Sequence, residues 1–278
     1  MGIRSSLLNS RATQSLLDSP LAPVAAFPFR LAATARAAFR QIGAGGRWLV
    51  TSRENTNYTY DLTPRNREHL AWFVANLAGI DVEEARGYLT EIETDTALAA
   101  YVTTATRESP RRWLADTEAR FGRRVGWYAL VRALKPSFVV ETGTDKGLGT
   151  LVLAAAILRN GSGRLTTIDI NPASGFLIGG QYATVTERIV GDGVATLKTL
   201  SGIDFFIHDS DHSAEYEAQE FETITKNLSA AAIVLSDNSA SSDSLPLWAE
   251  KNHRRFTFFD EQPARHWYEG AGIGASLP

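Results

Sequence analysis

The sequence contains no cysteine in 278 residues, which excludes a disulfide scaffold, a thiolate metal site and a cysteine nucleophile. No apolar run reaches the ~18 residues that a membrane-spanning helix needs. Basic and acidic side chains nearly balance, at 28 against 31, so the chain as a whole offers no basic surface for nucleic acid. These absences predict a cytoplasmic protein that has no transmembrane segment and does not act on nucleic acid.

Charge is unevenly distributed along the chain. Residues 1–53 contain seven arginines and a single acid, Asp18, while the remaining residues carry an excess of acids. We interpret residues 1–53 as a basic, partly ordered N-terminal arm, and the same composition also resembles an organellar transit peptide. Residues 31–42 have helical spacing with arginine on one side, which suits a surface that lies on a partner or on the protein itself.

Residues 54–134 have a helical pattern. Thr63 can cap a helix that begins at Pro64, and apolar residues then recur at three- to four-residue spacing until Gly79. The pattern predicts a second helix directly afterwards and one or two more before Pro136. We expect this region to line a binding pocket, to cover it as a lid or to form a contact in a homodimer.

From residue 135 to 278, short β-rich runs alternate with glycine turns and helices. Strands are predicted at 137–141, 164–170, 188–190, 203–208, 231–235, 256–259 and 273–277, and helices at 151–158 and 214–228. This alternation implies right-handed crossovers and a mostly parallel sheet with helices on both faces. The predicted fold class is therefore α/β and Rossmann-like, with an N-terminal helical region.

The ends of these strands carry polar or acidic side chains. They are Glu141, Asp169, Asp192, Asp209 and the pair Asp237-Asn238. Any one of them could simply cap the helix that follows. As a set they favour a binding site, because ligands of open parallel sheets lie beyond the carboxyl ends of the strands.

The glycine-rich turn after the first strand has the form E-x-G-x-x-x-G-x-G over residues 141–149. It differs from the G-x-G-x-x-G of dinucleotide-binding dehydrogenases, which counts against a nicotinamide-dependent oxidoreductase. The acids at Glu141 and Asp169 suit a ligand that has a ribose and a positive charge. Lys146, inside the turn, either meets a carboxylate of a ligand or is solvated.

Five short motifs together carry a family resemblance: the glycine turn, I-D-I-N-P at 168–172, G-D-G at 191–193, D-F-F-I-H-D at 204–209 and L-S-D-N at 235–238. In this order they resemble class I S-adenosylmethionine-dependent methyltransferases. Within that class they are similar to metal-dependent O-methyltransferases of the catechol and caffeoyl-CoA type and to bacterial natural-product methyltransferases. The resemblance covers about residues 125–278.

The resemblance implies a seven-stranded sheet that ends in an antiparallel hairpin, and it implies a cofactor site for S-adenosylmethionine. Glu141 and Gly143 would approach the methionyl part, Asp169 would bind the ribose hydroxyls, and residues 191–193 would line the adenine. The full set of implied cofactor contacts is Glu141, Gly143, Thr144, Gly147, Asp169, Asp192, Gly193 and Asp209.

The resemblance also implies a divalent-metal site at Asp209, Asp237 and Asn238. Two carboxylates and an amide oxygen are ligands that suit Mg²⁺, which would lower the pKa of an acceptor hydroxyl. His212 is the first candidate for general base, because it follows Asp209 by three residues and titrates near neutrality. Asp211 is a rival as base or as ligand. Catechol-type enzymes have a lysine near this position, and this chain has none.

The leading hypothesis is a Mg²⁺-assisted O-methyltransferase that acts on a hydroxyl of a sugar or secondary metabolite. Tyr58, Tyr60 and Trp72 are candidates for the acceptor pocket, although aromatics at helical spacing usually belong to the core. Three alternatives remain open: a metal-independent methyltransferase in which Asp237-Asn238 only shape the pocket, a nicotinamide-dependent oxidoreductase, and a non-catalytic cofactor-binding module.

Overall fold

The computed structural model describes Ser15 and residues 18–56, 58–113 and 115–278. The first part of the predicted basic arm, residues 1–14, lies outside the described residues. The chain divides into two compact units: the described residues up to Thr51 form one with Arg265–Trp267, and the rest form the other. Within the described residues, none of the helices combines the length and the apolar character needed to cross a membrane.

The first unit consists mainly of one long helix. Helix α1 is a single turn, Ala22–Ala25, and α2 spans Phe27–Thr51. The segment with helical spacing, residues 31–42, lies inside α2. Trp48 of this helix contacts Trp267 edge-on, with 5.3 Å between the ring centroids.

Four helices precede the sheet in the second unit: α3 (Pro64–Ala78), α4 (Val82–Glu93), α5 (Thr96–Glu108) and α6 (Arg124–Leu134). The start of α3 is as predicted, since the Thr63 side chain accepts a hydrogen bond from the Asn66 amide. The pattern did not single out α5. Trp113, which comes after α5, is outside any helix and 65% exposed.

The sheet has seven strands, as predicted. They are β1 (Phe138–Thr142), β2 (Arg164–Asp169), β3 (Thr186–Val190), β4 (Ile203–His208), β5 (Leu228–Asp237), β6 (Arg255–Phe259) and β7 (Ile273–Leu277). Their order is β3-β2-β1-β4-β5-β7-β6, and only β7 runs antiparallel to its neighbours β5 and β6. The number of strands and the final antiparallel hairpin match the implied fold.

Four helices connect the strands: α7 (Leu148–Asn160), α8 (Gly193–Leu197), α9 (Ala214–Ile224) and α10 (Ser244–Lys251). Helix α9 ends four residues before the predicted end at 228. The reason is that Leu228 already belongs to β5, where it pairs with Ile203 of β4.

The two faces of the sheet bury separate apolar clusters. On β4 the side chains alternate, so Phe205 and Ile207 join one cluster and Phe206 joins the other. The first cluster also contains Leu70 and Trp127 from the N-terminal helices. Helices α3–α6 therefore share one core with the sheet, and α6 begins at the edge where β4 and β5 end.

The turn after β1 brings three strand ends together. The Gly143 amide donates to the Ile168 carbonyl at 2.8 Å, and the Asp209 amide donates to the Thr142 carbonyl at 2.8 Å. Gly143 has φ +88°, and a Cβ at this position would lie only 1.8 Å from the Asp209 carbonyl oxygen. Only glycine both adopts this positive φ readily and avoids the clash that a Cβ would make with Asp209.

We expect Gly143→Ala to destabilise the protein far more than Gly161→Ala does. Gly161 also has a positive φ, +72°, but a Cβ there meets nothing within 4 Å. The control should cost about 1 kcal/mol of backbone strain, a fall in Tm of about 2–4 °C. Gly143→Ala should lower Tm by more than twice that amount in thermal unfolding. Equal falls would mean that the close approach to Asp209 is not required.

Candidate active site

A cleft of about 460 Å³ opens at the carboxyl edge of the sheet. Its lining includes the predicted cofactor residues Gly143, Asp169, Asp192, Gly193 and Asp209, and also Thr142, Asp145, Ile168, Ile170, Asn171, Gly191, Ser210, Asp211 and Tyr216. The cleft therefore lies across the ends of β1, β2, β3 and β4, where ligands of open α/β sheets bind.

The Asp169 carboxylate is held in one orientation at the end of β2. One oxygen accepts from the Asp145 amide at 2.8 Å, and the other accepts from the Asn171 amide at 2.7 Å. Each carboxylate oxygen retains a lone pair for a further donor. This arrangement suits the binding of two adjacent hydroxyl groups in the cleft.

Asp192 has a structural role in addition to its place in the cleft. Its side chain accepts from the Ala195 amide at 2.7 Å and so caps α8. Its other oxygen accepts from the Tyr216 hydroxyl at 3.3 Å. A Cβ at Gly193 would lie 2.6 Å from the Glu220 carboxylate, so the backbone passes close to buried side chains here.

Three predicted cofactor residues, Glu141, Thr144 and Gly147, are not in the lining of the cleft. Glu141 is fully buried, and one of its oxygens accepts hydrogen bonds from the hydroxyls of Thr150 and Thr167. Burial raises the pKa of Glu141 to about 7, although these hydroxyls oppose the shift. The Glu141 carboxyl group thus belongs to the core behind the cleft.

Lys146 is neither solvated nor directed at the cleft. Its ammonium group is 2.8 Å from the Glu54 carboxylate, and both side chains are buried. Glu54 also accepts from the Thr59 amide at 2.8 Å. This ion pair ties the segment before α3 to the glycine turn, and Thr56 of that segment lines the cleft.

The residues predicted to bind metal do come together. Asp209 follows β4, and Asp237 and Asn238 lie at the end of β5. Asp209, His212 and Asp237 each offer one ligand atom within 4.8 Å of the others. The sequence therefore indicated which side chains come together here, but it did not indicate that an arginine side chain lies among them.

The guanidinium group of Arg123 enters this cluster. Its Nε and Nη2 donate to the two oxygens of Asp237. Nη2 is also 3.2 Å from the Asn238 side-chain oxygen, and Nη1 donates to Glu261 at 3.1 Å and to the Tyr60 hydroxyl. Arg123 is 4% exposed, so this is a buried network.

The predicted magnesium ligands do not fit Mg²⁺ in this arrangement. Both Asp237 oxygens accept from Arg123, and the Asn238 oxygen accepts from Arg123 and, at 3.2 Å, from the Tyr268 hydroxyl. Burial alone would raise the pKa of Asp237, but the guanidinium outweighs it and holds that pKa below its ordinary value. The carboxylate is ionised and already paired with a cation.

Asp209 and His212 lie beside this network. The Asp209 side chain is 9% exposed and is 3.9 Å from the Arg124 guanidinium. Burial, and then the neighbouring Asp237 carboxylate, raises the pKa of Asp209 well above its ordinary value. His212 Nε2 is 3.7 Å from Asp209, and burial lowers the pKa of this imidazole.

The Asn238 amide determines which nitrogen of His212 carries the proton. Its oxygen accepts from Arg123 and Tyr268, so its NH₂ group faces Nε2 of His212 at 2.9 Å. Nε2 is then the acceptor, and the proton of the neutral ring is on Nδ1. The lone pair that a general base would use is thus engaged by Asn238.

Asp211, the rival candidate for base, has a mainly local role. It is exposed, and one oxygen accepts from the Ser213 amide at 2.9 Å just before α9. The hydrogen bonds from Ser213 lower the pKa of Asp211, which makes its carboxylate a weak base. Asp211 still lines the cleft, where it adds negative charge.

Sequence reasoning missed Arg123 and Arg124. The available signal was a pair of arginines directly before an apolar helical run, residues 125–131, all of which are buried. Two adjacent cations at the start of a buried helix need buried anions.

Two of the aromatic candidates for the acceptor pocket have other surroundings. Trp72 is half exposed, and Tyr60 belongs to the Arg123 network, so neither side chain serves only to line an acceptor pocket.

Comparison with known proteins agrees with the geometry of the cleft. Residues 140–239 match the family described as "Methyltransferase domain". No curated protein matches the sequence of this chain.

Two solved structures share the fold. Cofactor-bound Rv0187 from MTB has 22% identity and a TM-score of 0.51, with 66% of this chain and 90% of that chain covered. The O-methyltransferase TomG from Streptomyces achromogenes, involved in tomaymycin synthesis and solved with SAM, has 18% identity and a TM-score of 0.50, with 66% and 89% covered. Residues 140–239 therefore match a methyltransferase domain, and the chain shares the fold of these two solved structures.

Proposed function

We propose that this protein transfers a methyl group from S-adenosylmethionine to a hydroxyl group of a small molecule, a sugar or a secondary metabolite. The observation that carries the proposal is the cleft at the ends of β1–β4, in which Asp169, Asp192 and Gly143 lie in the matched methyltransferase domain. TomG, which shares the fold, is an O-methyltransferase that was solved with SAM.

The residues of the cleft fit this cofactor. The fixed Asp169 carboxylate can accept hydrogen bonds from both ribose hydroxyls. Gly143 lets the turn pass directly against the Asp209 backbone, so that the backbone of the turn lines the cleft. Acidic side chains dominate the lining, which favours a cationic ligand over a diphosphate. When bound, S-adenosylmethionine supplies the electrophilic methyl group on its sulfonium centre.

We place the acceptor hydroxyl beside Asp209, at the side of the cleft that faces the end of β5. Asp209 lines the cleft, and its raised pKa makes its carboxylate a stronger base than an ordinary aspartate. Asp209 would take the hydroxyl proton, and the methyl group would pass to the acceptor oxygen as its bond to sulfur breaks, which would leave S-adenosylhomocysteine. His212 takes no proton in this proposal, since the lone pair of its Nε2 is engaged by Asn238. Magnesium has no part in this proposal.

S-adenosylhomocysteine should bind the purified full-length protein in calorimetric titration, and Asp169→Ala should weaken binding by at least about tenfold. A hydrogen bond to a charged group is worth about 1.5–3 kcal/mol, and tenfold corresponds to 1.4 kcal/mol. Asp204→Ala is the matched control. Asp204 also accepts from two backbone amides, of Ser137 and Phe138, but at the opposite edge of the sheet.

Asp204→Ala should bind S-adenosylhomocysteine as the unmodified protein does. If neither the unmodified protein nor the control binds S-adenosylhomocysteine, the methyltransferase proposal fails. Binding of nicotinamide cofactors would then be tested, together with a non-catalytic role. If Asp169→Ala binds normally, the ribose lies elsewhere in the cleft.

Asp209→Asn should lower kcat by about 10²–10⁴, because the amide cannot accept the hydroxyl proton. His212→Gln should cost less than about tenfold, since glutamine can still accept from Asn238. Both variants would be assayed at saturating S-adenosylmethionine with an acceptor found by screening hydroxylated small molecules. A larger loss for His212→Gln would identify His212 as the proton acceptor instead.

A further inference from the structure

We infer that Arg123 is a built-in cation that replaces the divalent metal at the end of β4 and β5, so that this site excludes Mg²⁺ and related ions. The inference concerns the cation of the site and does not depend on the identity of the acceptor. Three features of the structure carry it.

The first feature is that every N–H group of the Arg123 guanidinium has a hydrogen-bond acceptor. Its five N–H groups reach acceptors on Asp237 (two bonds), Asn238, Glu261 and Tyr60. Asp237 and Asn238 are two of the three oxygen-bearing residues expected to hold metal. Charge-assisted hydrogen bonds from every donor hold the guanidinium group in one position and orientation.

The second feature is the charge balance. Asp237 faces Arg123, and Asp209 faces Arg124 at 3.9 Å. The two carboxylates expected to bind metal are thus each already paired with a guanidinium group, which stays protonated at any pH at which the protein is folded, and Arg123 also pairs with Glu261. A divalent ion placed between Asp209 and Asp237 would add two positive charges within a few ångströms of both arginines in a buried site, where such repulsion is strong.

The third feature is that the surrounding chain blocks Arg123 from moving aside. Tyr60 is 2% exposed and accepts from Nη1, and its ring packs on Gly122, where a Cβ would lie 2.6 Å from a ring carbon. On the other side, Glu261 is held by the backbone amides of Ala271 and Gly272 at 3.2 and 3.1 Å. Arg123 therefore lies in a pocket built for it.

The test is Mn²⁺ binding to the full-length protein, measured by electron paramagnetic resonance of free Mn²⁺ and by calorimetry. The unmodified protein should bind no Mn²⁺ at this site, so its isotherm should match that of Asp237→Asn. Arg123→Ala, which removes the cation paired with Asp237, should gain Mn²⁺ binding at this site, at least about tenfold tighter than any residual binding by the unmodified protein. Arg120→Ala is the matched control, because Arg120 is exposed and pairs with Glu118 and Asp61 instead.

The readout is metal binding, so failure of the proposed methyl transfer would leave the test intact. Mn²⁺ binding by the unmodified protein that disappears in Asp237→Asn would overturn the inference, and this comparison decides the matter even where Arg123→Ala does not fold. A folded Arg123→Ala that gains no Mn²⁺ binding would also overturn it, because Arg123 would not be what excludes the ion.

Discussion

The buried ion pair between Arg123 and Asp237 is the interaction on which the arrangement of the site depends. It joins the start of α6 to the end of β5 and, through Tyr60 and Glu261, recruits the segment before α3 and the loop between β6 and β7. Removal of one partner from such a pair costs roughly 3–5 kcal/mol, because a buried charge is left without compensation. The pair therefore holds the N-terminal helices against the edge of the sheet where the cleft opens.

The parts of the molecule that local sequence determines were predictable. Each strand was visible as a short β-rich run, and the acids at Asp169 and Asp192 were visible because they lie at or just after the ends of β2 and β3. The Glu141 contact was predicted from a motif, yet strand alternation decides where that side chain goes. Thr142 lines the cleft, and Glu141, one residue earlier, turns to the opposite face and into the core.

The parts that depend on distant residues were not predictable. Arg123 and Asp237 are 114 positions apart, and Glu54 and Lys146 are 92 apart. No periodicity or spacing connects such residues, since only the folded chain brings them together. The side chains at the ends of β4 and β5 were predicted to hold a divalent metal, but nothing near them in the sequence revealed that a guanidinium group from the start of α6 lies against them.

Because the positive charge at Asp237 belongs to Arg123, this part of the site forms without uptake of a metal ion. Metal sites of this kind are filled after folding from whatever ions the cell supplies, and tighter-binding transition metals compete for them. A guanidinium group is part of the polypeptide, so it is present once in every chain and does not depend on the supply of metal ions. Since Arg123 pairs with Asp237 as the core forms, completion of this part of the site becomes a step of folding itself.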